Sequence, residues 1–459
     1  MTDDPTTIAE RLHRLAKLAL DTGEAGDEAE ALAVFRRYRV QLVWGTDVAH
    51  SPVLQAAVLT AANTAARCLL GGVTYQGPSV RLCIPWCGHV EDVQSTTLGG
   101  ALGTLGARAK AVLDPAIPTI VFGNACPDVR LAVRATFDGW NGGVVPLGRD
   151  RRMAESGNCT PAGVLAGALA VTEVFLALRK AHPLAASREV GMSLWQPDRH
   201  WQQAEQGPSL TRLPESVWML GLGNLGQAYL WTLGLLPYPD RAAHLVLQDF
   251  DRIAESNLST SALTQVSHLG VYKTRVMAQW AERRGFSTSL VERPFGTDFK
   301  ITSTEPRVAL VGLDNIPARR ELEKVGFARV IEIGLGAGPE DFLGISLHTF
   351  PASRSARECW LEGEESMTSR VMDQRAYRQL KQDTGDSCGI VRLAGRSIAA
   401  PFVGAVAGAL GIAEFLRLLV GAPRTEFASL HLRDPAAMSI IAGDPWPLFN
   451  PGILPVADP

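Results

Sequence analysis

The stretch 217–230, VWMLGLGNLGQAYL, sets Gly221, Gly223 and Gly226 in G-x-G-x-x-G spacing between an apolar run and a helical pattern. Between a strand and a helix that spacing uses glycine three ways: for the tight turn, for close approach of a phosphate, and for packing helix on strand. The first turn of the helix adds a field that favours anions. Alone, the turn fits NAD, FAD, a methyl donor or ATP, and QDFD at 248–251 offers an acidic ribose ligand to any of them.

The residues that follow separate these readings. LVLQDFDRIAESNLSTSALTQVSHLGVYK (245–273) ends a strand with Asp249 and Asp251, then supplies Asn257 and Lys273. VALVGLDNIPARR (308–320) brings Asp314 to the end of a later strand. Hydride transfer has no use for a lysine and a further carboxylate converging on phosphates. Activation of a carboxylate with ATP does: the lysine neutralises phosphate charge, and the aspartate holds Mg2+ while pyrophosphate leaves.

In that order GLGNLG, DFD, SNL, GVYK and LDNIPAR resemble the motifs of the E1-like superfamily, the adenylating enzymes of sulfur-carrier pathways and of ubiquitin-like conjugation. The family pattern is G-x-G-x-x-G, D-x-D, S-N-L-x-R, G-x-x-K and T-D-N-x-x-x-R, and the resemblance runs from 217 to about 350. It implies ATP and Mg2+ as cofactors, Asp249 and Asp251 at the ribose, and Asn257 near the phosphates. It also implies Lys273 on the phosphates, Asp314 on Mg2+, and Arg319 supporting the loop. One position departs from the pattern. The family's arginine three residues after the asparagine is Thr260 here, and Arg275 or an arginine of VFRRYR (Arg36, Arg37, Arg39) is the candidate replacement.

The rest of the chain predicts an α/β fold. Strands at VQLVWG (40–45) and PTIVFGN (118–124) alternate with helices, as they do after residue 216, which points to doubly wound, mostly parallel sheets. AGALAVTEVFLAL (166–178) echoes AGALGIAEFLRLL (407–419), with Glu173 matching Glu414, and IVFGNACPDVR (120–130) echoes LVGLDNIPARR (310–320). Two matches in the same order suggest a duplicated domain whose first copy has lost its glycine turn. E1 enzymes for ubiquitin-like proteins pair an inactive with an active adenylation domain, so the resemblance implies two Rossmann-like domains as an internal pseudo-dimer. The expected divisions are a helical segment (1–35), an inactive adenylation-like domain (36–195), a linker (196–216) and the active ATP-binding domain (217–350). A cysteine-bearing segment (351–398), a closing helix and strand (399–442) and a Pro-rich tail (443–459) follow.

Composition narrows the partners. A net charge of −3 without a Lys/Arg block gives no footprint for nucleic acid. The uncharged SIAAPFVGAVAGALGIA (397–413) is Ala/Gly-rich, contains Pro401 and reaches Glu414 too soon for a membrane span, so it predicts a buried helix that admits a close neighbour. The acidic start MTDD lacks the features of a signal peptide, which predicts a cytoplasmic protein. Seven thinly spread cysteines argue against a disulfide scaffold. CIPWCGH (83–89) lacks a fourth local zinc ligand, and Cys68, Cys126 and Cys159 read as small buried hydrophobes. The catalytic half holds only Cys359 and Cys388, so the structural zinc of some family members is not expected.

SCGIVRLAGRSIAAPFVGAVAGALGIAEFLRLL (387–419) is similar to the cysteine-bearing segment and closing helix of E1-like proteins in bacterial ubiquitin-like conjugation operons linked to phage defence. Its polar, Gly-containing loop would expose Cys388 beside Arg392 and Arg396, whose charge favours a thiolate. The resemblance therefore implies adenylation of a C-terminal glycine on a ubiquitin-like protein, thioester formation on Cys388, and transfer to an E2-like conjugating enzyme. Cys359 is the second candidate nucleophile. The resemblance also allows a homodimer. Three alternatives stand beside it: a sulfur-carrier adenylyltransferase without thioester chemistry, an NAD-dependent oxidoreductase, and a non-catalytic nucleotide-binding scaffold.

Overall fold

The protein is described by a computed structural model over residues 8–88, 95–149, 151–239, 243–296, 298–360, 376–379, 393–445 and 449–456. It opens with three helices, α1 (Ile8–Arg11), α2 (Arg14–Asp21) and α3 (Glu28–Arg36), the last begun by Asp27, whose carboxylate accepts from the Glu30 amide.

The first half follows as β1 (Arg39–Trp44), α4 (Pro52–Cys68), β2 (Gly72–Gln76), α5 (Leu98–Thr104), β3 (Arg108–Ala109) and β4 (Thr119–Phe122). It ends with β5 (Ala132–Asp138), β6 (Asn141–Pro146), α6 (Thr160–Arg179) and β7 (Val190–Ser193). After β8 (Arg212–Pro214) the second half runs β9 (Ser216–Leu220), α7 (Asn224–Gly234), β10 (His244–Gln248), α8 (Lys273–Arg283), β11 (Ser287–Val291) and β12 (Val308–Val311). Then come α9 (Ile316–Arg319), β13 (Arg329–Leu335), β14 (Gly344–Phe350), α10 (Ala356–Cys359), α11 (Pro401–Leu419), β15 (Arg424–His431) and β16 (Ser439–Gly443). A final strand, β17 (Ile453–Pro455), pairs with β8.

The two large sheets share one plan. The first is ordered β3-β2-β1-β4-β5-β6-β7 and the second β11-β10-β9-β12-β13-β14-β15-β16. In each, the first five strands run parallel and the remainder antiparallel. The parallel centre explains why β4 (TIVF) and β12 (VALV) are apolar without alternation: both faces of such a strand are covered.

Four helices, α4, α6, α7 and α11, pack together where the halves meet. Small residues set their spacing. A side chain at Gly163 or Gly167 of α6 would collide with the carbonyls of Val53 and Ala57 on α4, and one at Gly404 or Gly408 of α11 with Asn224 and Ala228 on α7. Phe175 meets Phe402 at 5.1 Å between ring centres, and the Trp231 indole donates to Thr60 across the halves at 2.9 Å. α6 and α11 are long and apolar enough to cross a membrane, but 89% of the most apolar window of each is buried inside the fold. Glu173 and Glu414, the glutamates of the sequence echo, are both buried. Glu173 accepts from the Ala186 amide and pairs with Arg188, and Glu414 accepts from the Thr425 amide and pairs with Arg417.

The linker stretch 196–216 is docked on the first sheet: Trp201 is buried over Gly143 and Gly191, and the Asn141 amide donates to the carbonyls of Ala204 and Glu205. One expectation needs correction. Cys126 is exposed rather than buried, because it lies in the irregular crossing from β4 to β5 and not on a strand.

Candidate functional site

The chain leaves β9 at Leu220, turns through Gly221 and enters α7 at Asn224. Gly221 has φ +82°, which a side chain rarely tolerates. Gly226 faces the Gly221 carbonyl so closely that a Cβ there would collide with it. Around Gly223 a Cβ would meet nothing within 4 Å, so this glycine borders open space. Gly223 is also the N-cap, and among the described residues no side chain caps the first α7 amides. The positive end of α7 is therefore uncovered and aimed at room for a ligand.

The corresponding end of the first sheet is closed. Ser51 accepts from the Leu54 amide and caps α4. Asp47 fills the turn after β1, accepting from the Asn124 amide at 2.9 Å and pairing with Arg152.

In the second half Asp249 is turned inward. Its carboxylate accepts from the amides of Leu222 (2.7 Å) and Asp251 (2.8 Å), fixing the glycine turn to the end of β10. Asp251 is half exposed and ion-pairs with Lys273 at 2.6 Å, while Lys273 also lies 3.8 Å from Asp249. Lys273 is the first residue of α8 and is buried. Asn257 accepts from the Ala254 amide and so holds its 3-10 turn, Glu255–Ser259. Asp314, beyond β12, is exposed, and no hydrogen bond or ion pair from a described residue reaches its carboxylate. Arg319 donates to the Leu313 carbonyl at 2.7 Å, one peptide before Asp314.

Thr260 is buried with its hydroxyl toward Ser261, leaving no cation at that position. Neither sequence candidate fills the gap. Arg275 is paired with Glu292 at 2.8 Å, and Arg36, Arg37 and Arg39 are exposed on the first half. Two other arginines reach this segment: Arg67 of α4, whose guanidinium donates to the carbonyls of Leu258, Ala262 and Thr264, and Arg14 of α2. The Arg14 amide donates to Ser259 Oγ at 3.1 Å and its guanidinium to Ser256 Oγ at 3.3 Å. No carboxylate among the described residues pairs with it. Burial, and then the charge of Arg396, hold its pKa down to about 10, with Asp314 opposing. The available signal was the spacing of Arg14, Lys17 and Asp21 on one face of the otherwise apolar RLAKLALD.

Cys388 and Arg392 lie outside the described residues, as does His89. Cys359 ends α10 partly buried, and burial raises its thiol pKa, against which Arg354 works and to which Glu323, Glu332 and Glu358 add. That disfavours the thiolate a nucleophile requires. Cys83 is exposed, and Cys87, which contacts the Trp280 carbonyl, has its thiol raised to about 11 by burial.

Comparison with known proteins places this arrangement in a family. Residues 39–194 match the family model of the BilD N-terminal domain and residues 213–422 that of the BilD C-terminal domain. Over 432 residues the chain is 39% identical to the bacterial E1-like protein BilD of Collimonas sp. (strain OK412), covering 93% of this chain and 92% of that one. Among solved structures, E. coli MccB is 14% identical with a TM-score of 0.33, over 50% of this chain and 62% of MccB. E. coli MccB with ATP is 15% identical with a TM-score of 0.32, over 50% and 63%. The chain thus spans less than two thirds of MccB in both comparisons. The relative from Collimonas, matched across nearly its whole length, settles the assignment: this chain belongs to the family of bacterial E1-like proteins.

Proposed function

We propose that the chain is an ATP-dependent activating enzyme that adenylates the C-terminal glycine of a small ubiquitin-like protein. The observation that carries this reading is the uncapped α7 N-terminus, bordered by the open space at Gly223, with Lys273, Asp314 and Arg14 around it. A cofactor that only transfers hydride needs no such set of charges about its phosphates. In the proposed reaction the glycine carboxylate attacks the α-phosphorus and the bond to pyrophosphate breaks. Lys273, shared with Asp251, neutralises charge on the phosphates, and Arg14 stabilises the departing pyrophosphate in place of the arginine absent at Thr260.

An exposed, unpartnered Asp314 fits magnesium, which proteins commonly hold by one or two carboxylates together with substrate phosphates. Bound there, the ion would supply Lewis-acid stabilisation of phosphate charge. Asp251, the exposed carboxylate of the pair, suits the ribose hydroxyls, whereas Asp249 holds the turn.

The first half is read as a copy that keeps the scaffold without the site, making the chain an internal pseudo-dimer. Shared strand order, the paired glycines of α6 and α11, and the matched buried glutamates support this, and Ser51 and Asp47 account for the lost site. Thiolate attack by Cys388 on the acyl-adenylate, releasing AMP, would complete the activation before transfer to an E2-like protein.

The test is ATP–pyrophosphate exchange that depends on a ubiquitin-like protein ending in glycine. Exchange with partner supports the reading. ATP binding without exchange leaves a scaffold, and tight NAD(H) binding without ATP binding overturns it.

A further inference from the structure

We propose that Glu332 and His348 are positioning residues for the Asp314 loop, acting through Arg319. Neither touches the nucleotide space. They face each other across β13 and β14 as direct register partners, with His348 Nδ1 3.1 Å from Glu332 Oε2. Glu332 is fully buried. Its other oxygen, Oε1, accepts no hydrogen bond from a described residue and lies 3.2 Å from Arg319 Nε. Among the described residues the charge of Arg319 is what compensates that oxygen, and the arginine is drawn toward the sheet.

The same Nε donates to the Leu313 carbonyl at 2.7 Å. This carbonyl belongs to the peptide unit that leads into Asp314, so fixing it fixes the direction from which the aspartate departs. On the other side of that unit, Gly312 is tied to β9 because its N–H donates to the Leu220 carbonyl at 2.8 Å. The peptide is clamped from two sides, and one clamp ends on Glu332.

Trp360 covers the cluster. The Arg319 guanidinium stands 5.7 Å from the centre of its ring and the His348 imidazole 5.0 Å. Removal from water strengthens the attraction between Arg319 and Glu332. It also makes the carboxylate costly to bury, and a buried ion pair is weak evidence for stability, since well-packed apolar residues often replace one without loss. A role in orientation accounts for a charge that packing does not need. Outer-shell partners of metal-holding side chains act in this way.

This inference rests on the reading of Asp314 as the magnesium-holding residue, and its test separates the two. Glu332→Gln keeps the shape and removes the charge, while His348→Gln removes the second partner and is the milder change should the first not fold. Each is measured in the full chain by magnesium titration of the binding of a non-hydrolysable ATP analogue, and by hydrogen exchange at the amides of 312–315 without nucleotide. Glu332→Gln should need about tenfold or more magnesium for half-saturation. Its loop should also exchange faster, while analogue binding at saturating magnesium recovers. His348→Gln should shift both readouts in the same direction by less. Folded variants with wild-type exchange and magnesium demand overturn the proposal. If analogue binding by the wild type ignores magnesium, the Asp314 reading fails, and the exchange of the loop still decides whether Glu332 holds it.

Discussion

Two glycines three residues apart, changed in the same way, should fail differently. At Gly226 a Cβ would collide with the Gly221 carbonyl oxygen and sit 2.9 Å from the carbonyl carbon. Carbon atoms pack best at about 3.5–4.0 Å, so the added atom is at least ~0.6 Å too close to rigid backbone. The start of α7 must move off β9, and overpacking of this kind costs roughly 1–3 kcal/mol or more. At Gly223 the same atom meets nothing within 4 Å, and φ is −78°, so Gly223→Ala should lose no more than about 1 kcal/mol, the value of an N-cap preference. It would, however, place a methyl group where phosphate approaches the amides. Each ~1.4 kcal/mol of lost contact is tenfold in affinity, and a displaced phosphate should lose at least that much. Thermal unfolding and titration with an ATP analogue separate the two outcomes. Gly226→Ala should melt early, whereas Gly223→Ala should melt near wild type and bind poorly. Wild-type analogue affinity in Gly223→Ala would refute the reasoning, because the open space would then not be the phosphate's.

Four further outcomes are expected. Arg14→Ala should slow partner-dependent pyrophosphate exchange by roughly 10²–10³-fold with little change in melting, and an unchanged rate would return the Thr260 gap to an unknown cation. Asp314→Ala and Lys273→Ala should each reduce exchange by a similar order, and variants within a few-fold of wild type would show that these charges do not meet the phosphates. Lys17 and Asp21 form a buried pair, with the Tyr377 hydroxyl also donating to Asp21. Lys17→Met alone should cost about 3–5 kcal/mol in urea unfolding and Lys17→Met with Asp21→Leu much less, so equal losses would contradict a charge left unpaired. His13 has its pKa lowered by burial from 6.5 to about 4. The unfolded chain then binds the proton that the folded one refuses, so stability should fall as pH drops from 6.5 toward 4. The imidazole is only partly buried, so the loss is at most about 3 kcal/mol. His13→Asn should flatten that part of the profile, measured as the difference between the two proteins.

What was legible in the sequence was whatever short-range pattern fixes. GLGNLG, the carboxylates at strand ends and the apolar β4 and β12 each report local geometry, and the structure places the glycine turn and the carboxylates at the ends of β9, β10 and β12, adjacent strands of the second sheet. The Ala/Gly helix at 401–419 was readable because its small residues only make sense against a close neighbour. That the stretch 196–216 docks was not legible, because its polar composition hid one large anchor, Trp201, and a single aromatic outweighs many solvated neighbours in deciding whether a segment docks.

Arg14 was beyond reach for a different reason. It meets Ser259 from 245 positions away, and no periodicity carries information across that distance. Its helix does carry a clue of another kind. In RLAKLALD the residues Leu15, Ala16, Leu18, Ala19 and Leu20 are all buried, so the chain enters the core and takes the charges of Lys17 and Asp21 with it, with Arg14 half-buried at its start. Each needs a partner there. Lys17 and Asp21 find one another four residues apart, which sequence spacing already allows. Arg14 has no such neighbour on its own helix, and among the described residues its guanidinium donates to the Ser256 hydroxyl. A charge carried toward the core and left without a paired carboxylate among the described residues is the mark of a site that something else completes. By that reasoning the unmatched member of a buried charged face, rather than the motif arginine itself, is what a sequence reading should have pursued once Thr260 was seen.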